Sequence, residues 1–578
     1  MKKLMLGNEA VARGAYEAGV KVATAYPGTP STEITEFIAK YETMYAQWSP
    51  NEKVALEVAI GASVGGARSI TSMKHVGLNV AADPLFTVSY TGVNGGLVIM
   101  VADDPGMHSS QNEQDSRYYA RAAHIPMLEP ADSQEAKDYI KEAFTLSEKY
   151  DTPILVRLTT RISHSQSLVE IQDPQEVELK PYEKDVMKYV MMPGMAIKRH
   201  VIVEERMKKM TMDASSMSIN RADYKDLSMG FITSGIPYQY VKEVFPDASV
   251  LKLGMVHPLP KDLIQEFCSK VDKVYIIEEL EPIIEEQIKS WGLDVEGKDL
   301  LTVQGEYSAN MLVERIKKED LQLKTPEVLP QRPPVLCAGC PHRSVYYRLK
   351  KLGKHATGDI GCYTLGALDP LKGLDTCVDM GASIGMLHGI EKARGSDFIK
   401  DWVSIIGDST FVHSGITGLV DVVYNQGCST VMILDNSTTG MTGHQENPAT
   451  GVTLKGENTN QLDLVKLCES VGIRRVRTVN PFRYKELEEA ISEETQIAEP
   501  SVIIVKAPCQ LLDKSGSFVQ NYIDEEKCKD CGMCLKLGCP AIKKHNGVMM
   551  IDDTLCVGCN LCVGVCKFQA IRKVGTRS

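Results

Sequence analysis

The sequence has no long hydrophobic run. No stretch of its 578 residues reaches the ~18 consecutive apolar residues that a membrane helix needs. The N-terminus turns polar after three apolar residues, Leu4 to Leu6, and so lacks the core of a signal peptide. A surplus of positive charge is also missing, because the formal net charge is −11. This balance argues against a nucleic-acid-binding protein that relies on a basic surface. We therefore expect a cytoplasmic protein without membrane or nucleic-acid partners.

Cysteine is present, but its distribution is uneven. Of the 16 cysteines, eight lie between Cys528 and Cys566, and the other eight are spread over the first 527 residues. In a reducing compartment, clustered cysteines indicate metal or redox chemistry rather than disulfides.

The hydrophobic pattern predicts an α/β protein with several domains. A composition of 43% hydrophobic and 24% charged residues is typical of globular chains. Short apolar runs alternate with helix-like stretches, which favours doubly wound parallel sheets. Strands are predicted at 96–101, 153–158, 402–406 and 430–434, and a helix at 52–67. The predicted segments are two large α/β domains (1–182 and 330–515), a smaller one (228–325), a methionine-rich mobile connector (183–227) and a cysteine-rich tail (521–578).

The tail contains two runs of four cysteines. The run at 556–566 is C-x₂-C-x₂-C-x₃-C, and the run at 528–539 has one extra residue before its fourth cysteine. Three thiolates at this spacing can bind three corners of a cubane iron–sulfur cluster. Two zinc sites are the alternative, but zinc needs neither the third cysteine of each run nor Pro540 after the first run.

The tail resembles the bacterial two-cluster ferredoxin domain. In such domains the fourth cysteine of each run binds the cluster of the other run. The resemblance therefore implies two [4Fe–4S] clusters. The ligands of the first would be Cys528, Cys531, Cys534 and Cys566, and those of the second Cys556, Cys559, Cys562 and Cys539.

A Gly-Asp…Asn pattern lies in the second large domain. Asp408 follows one predicted strand and Asn436 the next, so both fall at the carboxyl edge of a parallel sheet, where ligands bind. A carboxylate, an amide oxygen and a nearby backbone carbonyl suit Mg²⁺, and the glycines let backbone N–H groups approach phosphate. A chance pattern at two strand ends is the alternative interpretation.

The pattern resembles the thiamine-diphosphate motif, and the longer string at 435–445 resembles the 2-oxoacid:ferredoxin oxidoreductases. The resemblance implies that Asp408, Asn436 and the Thr438 carbonyl bind Mg²⁺. The cofactor-binding residues that it implies besides these three are Gly407, Ser409, Gly440, Met441 and Thr442.

Thiamine chemistry also needs a carboxylate beside the aminopyrimidine ring of the cofactor. Glu57 is the predicted residue, because a carboxylate among small apolar residues is poorly solvated and its helix resembles the pyrimidine domain of the same family. Glu52, or a surface position for Glu57, is the alternative. By the same resemblance the hydroxyl of Thr29, in Tyr-Pro-Gly-Thr-Pro, contacts the reacting carbonyl, whereas a purely structural turn before a capped helix is the alternative.

Other side chains are candidates with ordinary alternatives. Arg117 and Arg121 are candidates for the substrate carboxylate, or else helix surface charges. The candidates for acid–base roles, or else hydrogen-bonded structural residues, are His75, His108 and His444. Four further cysteines match the places of a third cluster in the superfamily, with buried structural thiols as the alternative: Cys337, Cys340, Cys362 and Cys509.

Taken together, these motifs resemble the large subunit of the indolepyruvate:ferredoxin oxidoreductases over essentially the whole chain. The resemblance implies oxidation of an aryl 2-oxo acid to an acyl-coenzyme A and CO₂, with electrons passing through iron–sulfur clusters to ferredoxin. It also implies a smaller β subunit, and hence a hetero-oligomer. Segments 1–182 and 330–515 would bind the pyrimidine and the diphosphate of thiamine, and 228–325 would resemble the transketolase C-terminal domain. The alternatives are a non-oxidative thiamine-dependent decarboxylase and a non-catalytic electron-transfer subunit.

Overall fold

The structure is a computed structural model that describes residues 1–321, 333–514 and 518–574. It divides the chain into two units, Met1–Pro326 and Glu327–Ser578. The predicted domain boundaries at 325, 330 and 515 lie outside the described residues. No helix among the described residues is long and apolar enough to cross a membrane.

The first unit contains a seven-stranded sheet. Its strands, from edge to edge, are Met255–His257, Met127–Leu128, Ile154–Thr159, Leu97–Asp103, Ser69–Lys74, Val22–Ala25 and Tyr45–Trp48. The first of these is antiparallel to its neighbour and the other pairs are parallel. The strands predicted at 96–101 and 153–158 are confirmed.

Helices surround this sheet. Their bounds are Gly7–Glu17, Thr32–Ile38, Glu52–Val64, His75–Val80, Ala82–Thr91, Arg117–Ala123, Ser133–Tyr150 and Thr160–His164. The predicted helix at 52–67 begins at Glu52, where the Asn51 side chain caps it by accepting from the Val54 N–H at 2.9 Å. A separate antiparallel pair joins Lys2–Leu6 to Gln166–Glu170.

A second sheet of four strands belongs to the same unit. Its order is Val274–Ile277, Asp226–Thr233, Ala248–Lys252 and Arg221–Asp223. The helices that follow in this part are Pro237–Val244, Lys261–Lys270, Ile283–Ser290, Ala309–Leu312 and the π-helix Val313–Lys317.

The methionine-rich segment is helical rather than irregular. It contains Val186–Tyr189 and the 22-residue helix Pro193–Ala214. Two buried arginines attach the long helix to the first sheet's helices, since Arg199 Nε donates to the Tyr90 carbonyl at 2.6 Å and Arg206 Nη2 to the Ser89 carbonyl at 2.8 Å.

The second unit is built on a six-stranded parallel sheet. The order is Thr376–Cys377, His355–Gly358, Trp402–Gly407, Thr430–Asp435, Ser501–Lys506 and Arg475–Val479. Its α-helices are His342–Leu352, Ala382–Arg394, Asp408–Thr410, Ile416–Tyr424, Leu464–Val471 and Tyr484–Glu494. Shorter 3₁₀ and π segments are Cys362–Ala367, Phe398–Asp401, Phe411–Gly415 and Gln510–Leu512. The strands predicted at 402–406 and 430–434 are confirmed.

The tail of this unit is a small module with two pairs of short strands. Asn521–Ile523 pairs with Ile571–Lys573, and Ile542–His545 with Val548–Ile551, both antiparallel. The 3₁₀ turns Met533–Leu537 and Val563–Val565 lie between them in sequence. The predicted α/β class, with parallel sheets and a separate C-terminal module, is confirmed.

Candidate functional site

Three oxygen-bearing groups meet at the carboxyl ends of the strands Trp402–Gly407 and Thr430–Asp435. The side-chain amide of Asn436 lies 2.8 Å from the Thr438 carbonyl oxygen and 3.2 Å from Asp408 Oδ1. If the amide oxygen of Asn436 points inward, it converges on one point with the Thr438 carbonyl oxygen and Asp408 Oδ1. If the amide nitrogen points inward instead, it donates to both of these oxygens. Convergent carboxylate, amide and carbonyl oxygens fit a hard cation such as Mg²⁺.

Asp408 is almost completely buried. Burial, followed by the charge of Asp435, raises the pKa of Asp408 to about 7. Asn447 Nδ2 donates to Asp408 Oδ2 at 3.3 Å. A buried carboxylate is stabilised when a cation takes its free lone pairs, which agrees with the fit of the three oxygens.

The loop after Asp435 surrounds this point with small and polar side chains. Thr439 Oγ1 donates to Ser409 Oγ at 3.0 Å, and Thr442 Oγ1 donates to Gln445 Oε1 at 2.6 Å. Gly407 ends the first strand. A Cβ added to Gly440 would lie 3.4 Å from Asn436 Nδ2, whereas the side chain of Met441 is half exposed.

Four cysteines lie beside the same loop. The position of a Cβ on Gly440 is also 3.4 Å from Cys362 Sγ, and the Cys509 N–H donates to the Asn436 carbonyl at 2.9 Å. Cys337 interacts electrostatically with Cys340, Cys362 and Cys509. Burial raises the pKa of Cys340 to about 12 and that of Cys362 to about 11. The structure therefore brings all four thiols into one neighbourhood.

The eight tail cysteines line two separate cavities. One cavity contains Cys528, Cys531, Cys534 and Cys566 and has about 350 Å³ of space not filled by atoms. The other contains Cys539, Cys556, Cys559 and Cys562 and has about 390 Å³. Each cavity thus contains the four cysteines that the ferredoxin resemblance assigns to one cluster.

Among the described residues, no group of three or more His, Cys, Asp or Glu side chains is arranged to hold a single metal ion. A four-iron cluster places each of its thiolates on a different iron, so the cysteine cavities fit a cluster better than a lone ion.

Glu57 lies on the exposed side of the helix Glu52–Val64. Its side chain is 44% exposed and pairs with Lys53. The carboxylate is therefore solvated in this chain, and the catalytic role of Glu57 stays a prediction. Glu52 is five residues earlier, about 140° around the helix, and only 4% exposed. A Cβ on Gly77 would lie 2.6 Å from Glu52 Oε1, so the glycine leaves room for this buried carboxylate.

Thr29 is in the loop that follows the strand Val22–Ala25. Its carbonyl accepts from Ser109 Oγ at 3.3 Å. Ser31 Oγ donates to the Gly28 carbonyl at 2.8 Å. The side-chain hydrogen bond of this turn therefore comes from Ser31 and not from the Thr29 hydroxyl.

Lys74 lies next to this loop, and the sequence analysis missed it. It ends the strand Ser69–Lys74, and its Cβ is 3.2 Å from the position of a Cβ on Gly28. Lys74 is 8% exposed, and its Nζ donates to the Ser109 carbonyl at 2.6 Å. Burial lowers the pKa of Lys74 to about 8, against the opposing attraction of Asp104. The signal in the sequence was a lysine at the carboxyl end of a buried strand.

Arg117 is committed to an internal ion network. It is fully buried and pairs at 2.5 Å with both Asp115 and Glu278. It is therefore neither a helix surface charge nor available to a substrate carboxylate. Arg121, one turn later, is exposed.

The three candidate histidines have different surroundings. His75 is buried, which lowers its pKa, and its Nε2 lies 3.2 Å from the Asn112 carbonyl. His108 is half exposed and lies 3.3 Å from Glu306. His444 Nε2 is 3.7 Å from Cys509 Sγ.

Comparisons with known proteins agree with this layout. Residues 13–227 match the family "Pyruvate flavodoxin/ferredoxin oxidoreductase, thiamine diP-bdg". Residues 359–505 match "Thiamine pyrophosphate enzyme, C-terminal TPP binding domain", and residues 549–572 match "4Fe-4S binding domain".

Whole-length relatives decide the family. The "Indolepyruvate oxidoreductase subunit IorA" of Archaeoglobus fulgidus is 39% identical, over 99% of this chain and 97% of that protein. The protein of the same name from Pyrococcus horikoshii has the same identity and coverage. The chain belongs to the indolepyruvate oxidoreductase subunit IorA family. The predicted resemblance is confirmed, and the chain is a subunit of a thiamine-diphosphate-dependent oxidoreductase with an iron–sulfur module.

A solved structure is also similar. It is the 2-oxoglutarate:ferredoxin oxidoreductase from Magnetococcus marinus, with a TM-score of 0.47 and 17% identity, over 55% of this chain and 65% of that one.

Proposed function

We propose that the chain, with a smaller second subunit, oxidatively decarboxylates indolepyruvate-type aryl 2-oxo acids. The products are the acyl-coenzyme A and CO₂, and the electrons pass to a ferredoxin. The observation that supports the oxidative reaction is the position of Cys362 and Cys509 beside Gly440 and Asn436. A non-oxidative decarboxylase has no need of thiols next to its diphosphate loop. The names of the full-length relatives support the substrate class.

Thiamine diphosphate, when bound, supplies the carbon nucleophile and the electron sink that decarboxylation of a 2-oxo acid requires. Asp408, Asn436 and the Thr438 carbonyl would hold the Mg²⁺ that binds the diphosphate. The proposed contacts of the cofactor remain Gly407, Ser409, Gly440, Met441 and Thr442.

Glu52, rather than Glu57, is our proposed partner of the aminopyrimidine ring. A carboxylate in this role shares a proton with a ring nitrogen, and it must be shielded from water to hold that proton in place. Glu52 meets this condition because it is buried, whereas the exposed Glu57 does not.

Lys74 and Thr29 are our proposed substrate contacts. The ammonium group of Lys74 is buried and has no carboxylate within ion-pair distance among the described residues, so it suits the carboxylate of a 2-oxo acid. The adjoining Thr29 hydroxyl would donate to the keto oxygen. This pair replaces Arg117 as the candidate for carboxylate binding.

The cysteines would hold three [4Fe–4S] clusters, two in the tail cavities and one at Cys337, Cys340, Cys362 and Cys509. Iron and acid-labile sulfide analysis tests the number. About twelve irons per chain indicates three clusters, and about eight would remove the third. The tail carries a net charge of +3, which favours an acidic ferredoxin as the acceptor. A cytoplasmic location remains a prediction from the sequence.

A steady-state assay tests the reaction. The enzyme, purified with its second subunit and kept free of oxygen, should reduce ferredoxin when given indolepyruvate and coenzyme A, and faster than when given pyruvate. Release of an aldehyde without ferredoxin reduction would instead show a non-oxidative decarboxylase. Activity that survives removal of thiamine diphosphate would show an electron-transfer subunit.

A further inference from the structure

Arg343 is a buried cation without a carboxylate partner. It lies in the first turn of the helix His342–Leu352 and is 2% exposed. Its acceptors are three backbone carbonyls: Leu537 at 2.8 Å, Cys337 at 3.1 Å, and Leu336. No Asp or Glu of the described part of the chain is within ion-pair distance of its guanidinium. Of the other two fully buried arginines, Arg117 pairs with two carboxylates and Arg157 with three.

Cysteines lie on two sides of this guanidinium. Arg343 lines the tail cavity that contains Cys539, Cys556, Cys559 and Cys562. It also binds the Cys337 carbonyl and interacts electrostatically with the thiols of Cys337 and Cys340. The side chain therefore stands between this tail cavity and the cysteine group next to the Asp408 loop.

A buried charge is costly unless an opposite charge accompanies it. Carbonyl dipoles offset part of this cost, but they carry no net charge. A [4Fe–4S] cluster held by four thiolates is anionic and gains one more negative charge when it is reduced. The reduction potential of such clusters depends on nearby charge and hydrogen bonds.

We infer that Arg343 is the counterion of the cluster at Cys539, Cys556, Cys559 and Cys562, and that it raises that cluster's reduction potential. One electron leaving the group at Cys337 and Cys340 would then pass to this cluster first, with no proton moved. Arg343 itself takes no part in the transfer; its positive charge makes this cluster the favoured acceptor of the electron. The inference rests on the clusters of the proposed function.

The chain offers two controls. Arg348, on the same helix, is also nearly buried, but its charge is paired with Glu488, and its guanidinium stacks 3.6 Å from the centre of the Tyr484 ring. The cavity with Cys528, Cys531, Cys534 and Cys566 is not lined by Arg343, so a cluster there serves as an internal reference.

The test is a redox titration followed by electron paramagnetic resonance on the full two-subunit enzyme. In Arg343→Gln we expect one tail cluster to become harder to reduce. At a fixed potential its ratio of reduced to oxidised form should fall about tenfold, which for a one-electron couple is 59 mV. The other tail cluster, the Arg343→Lys variant and the Arg348→Gln variant should remain close to the wild-type values.

Several outcomes are distinguishable. A full set of clusters with unchanged potentials in Arg343→Gln would overturn the inference. If Arg343→Gln loses about four irons per chain, the Arg343→Lys variant shows whether the cluster needs the positive charge or only the hydrogen bonds to the carbonyls. Iron and potential retained with lysine support a need for positive charge, whereas equal loss in both variants shows that only the carbonyl bonds matter and overturns the inference. Absence of tail clusters in the wild-type enzyme would instead overturn the proposed function.

Discussion

Two glutamates of one helix differ in the property that thiamine chemistry needs. Glu52 is buried against Gly77, and Glu57 is in solvent beside Lys53. We expect Glu52→Gln to lower kcat by ~100-fold or more, the range found when a general acid–base group is lost. Glu57→Gln should retain wild-type kcat within about twofold, as exposed substitutions usually do. Ferredoxin reduction measures both, and the reverse ranking would contradict the assignment.

The charge of Lys74 should appear in the pH dependence of substrate binding. Burial lowers the pKa of Lys74 to about 8, so the ammonium is present below that pH and lost above it. The KM for indolepyruvate should therefore rise as pH increases through about 8. In Lys74→Arg this rise should disappear, because arginine stays protonated.

The neutral variant Lys74→Met completes the comparison. It should raise KM at all pH values by about ten- to a hundredfold, the value of a hydrogen bond to a charged group. A KM that is independent of pH in the wild-type enzyme, with no effect of Lys74→Met, would exclude Lys74 from substrate binding.

At the scale of elements, two strand ends and one loop form the proposed diphosphate site. The strand Trp402–Gly407 positions Asp408, and the strand Thr430–Asp435 positions Asn436. Asp408→Asn removes the charge of the proposed cation site, so thiamine diphosphate binding in the presence of Mg²⁺ should weaken by at least about tenfold in calorimetry. Iron content should stay at the wild-type level. Unchanged binding would place the cation elsewhere.

Much of this element-scale arrangement was predictable from the sequence. The apolar runs at 402–406 and 430–434 indicated buried parallel strands, and parallel strands direct their carboxyl ends to one edge. The strand signals are local in sequence, and the backbone period alone is enough to interpret them. The grouping of the tail cysteines came instead from the resemblance to two-cluster ferredoxins, in which the fourth cysteine of each run binds the other cluster.

The side-chain environments were not predictable in the same way. Glu52 and Glu57 lie among the same small residues, and packing against one side of the helix, which includes the helix His75–Val80, distinguishes them. Arg117 reads as a helix surface charge until Glu278, 161 positions later, is placed against it. Arg343 closely follows the Cys337 and Cys340 pair in sequence, but nothing local marks it or Lys74 as buried, because long-range contacts determine burial.

At the scale of the whole molecule, an acidic chain contains a series of cysteine sites in its second unit. They begin beside the Asp408 loop with Cys362 and Cys509 and continue into the two tail cavities. Each unit also matches a thiamine-diphosphate-binding family, and the proposed residues are Glu52 in the first and Asp408 in the second. The account therefore requires that decarboxylation and cluster reduction occur in one chain.

Anaerobic rapid mixing tests that requirement most directly. The two-subunit enzyme, loaded with thiamine diphosphate and Mg²⁺ but without ferredoxin, is mixed with indolepyruvate while the cluster absorbance is followed. The account predicts bleaching of the clusters within the time of one turnover, and much less bleaching in Asp408→Asn with full iron content at the same concentration of thiamine diphosphate. Release of CO₂ from the wild-type enzyme with the clusters still oxidised would contradict it.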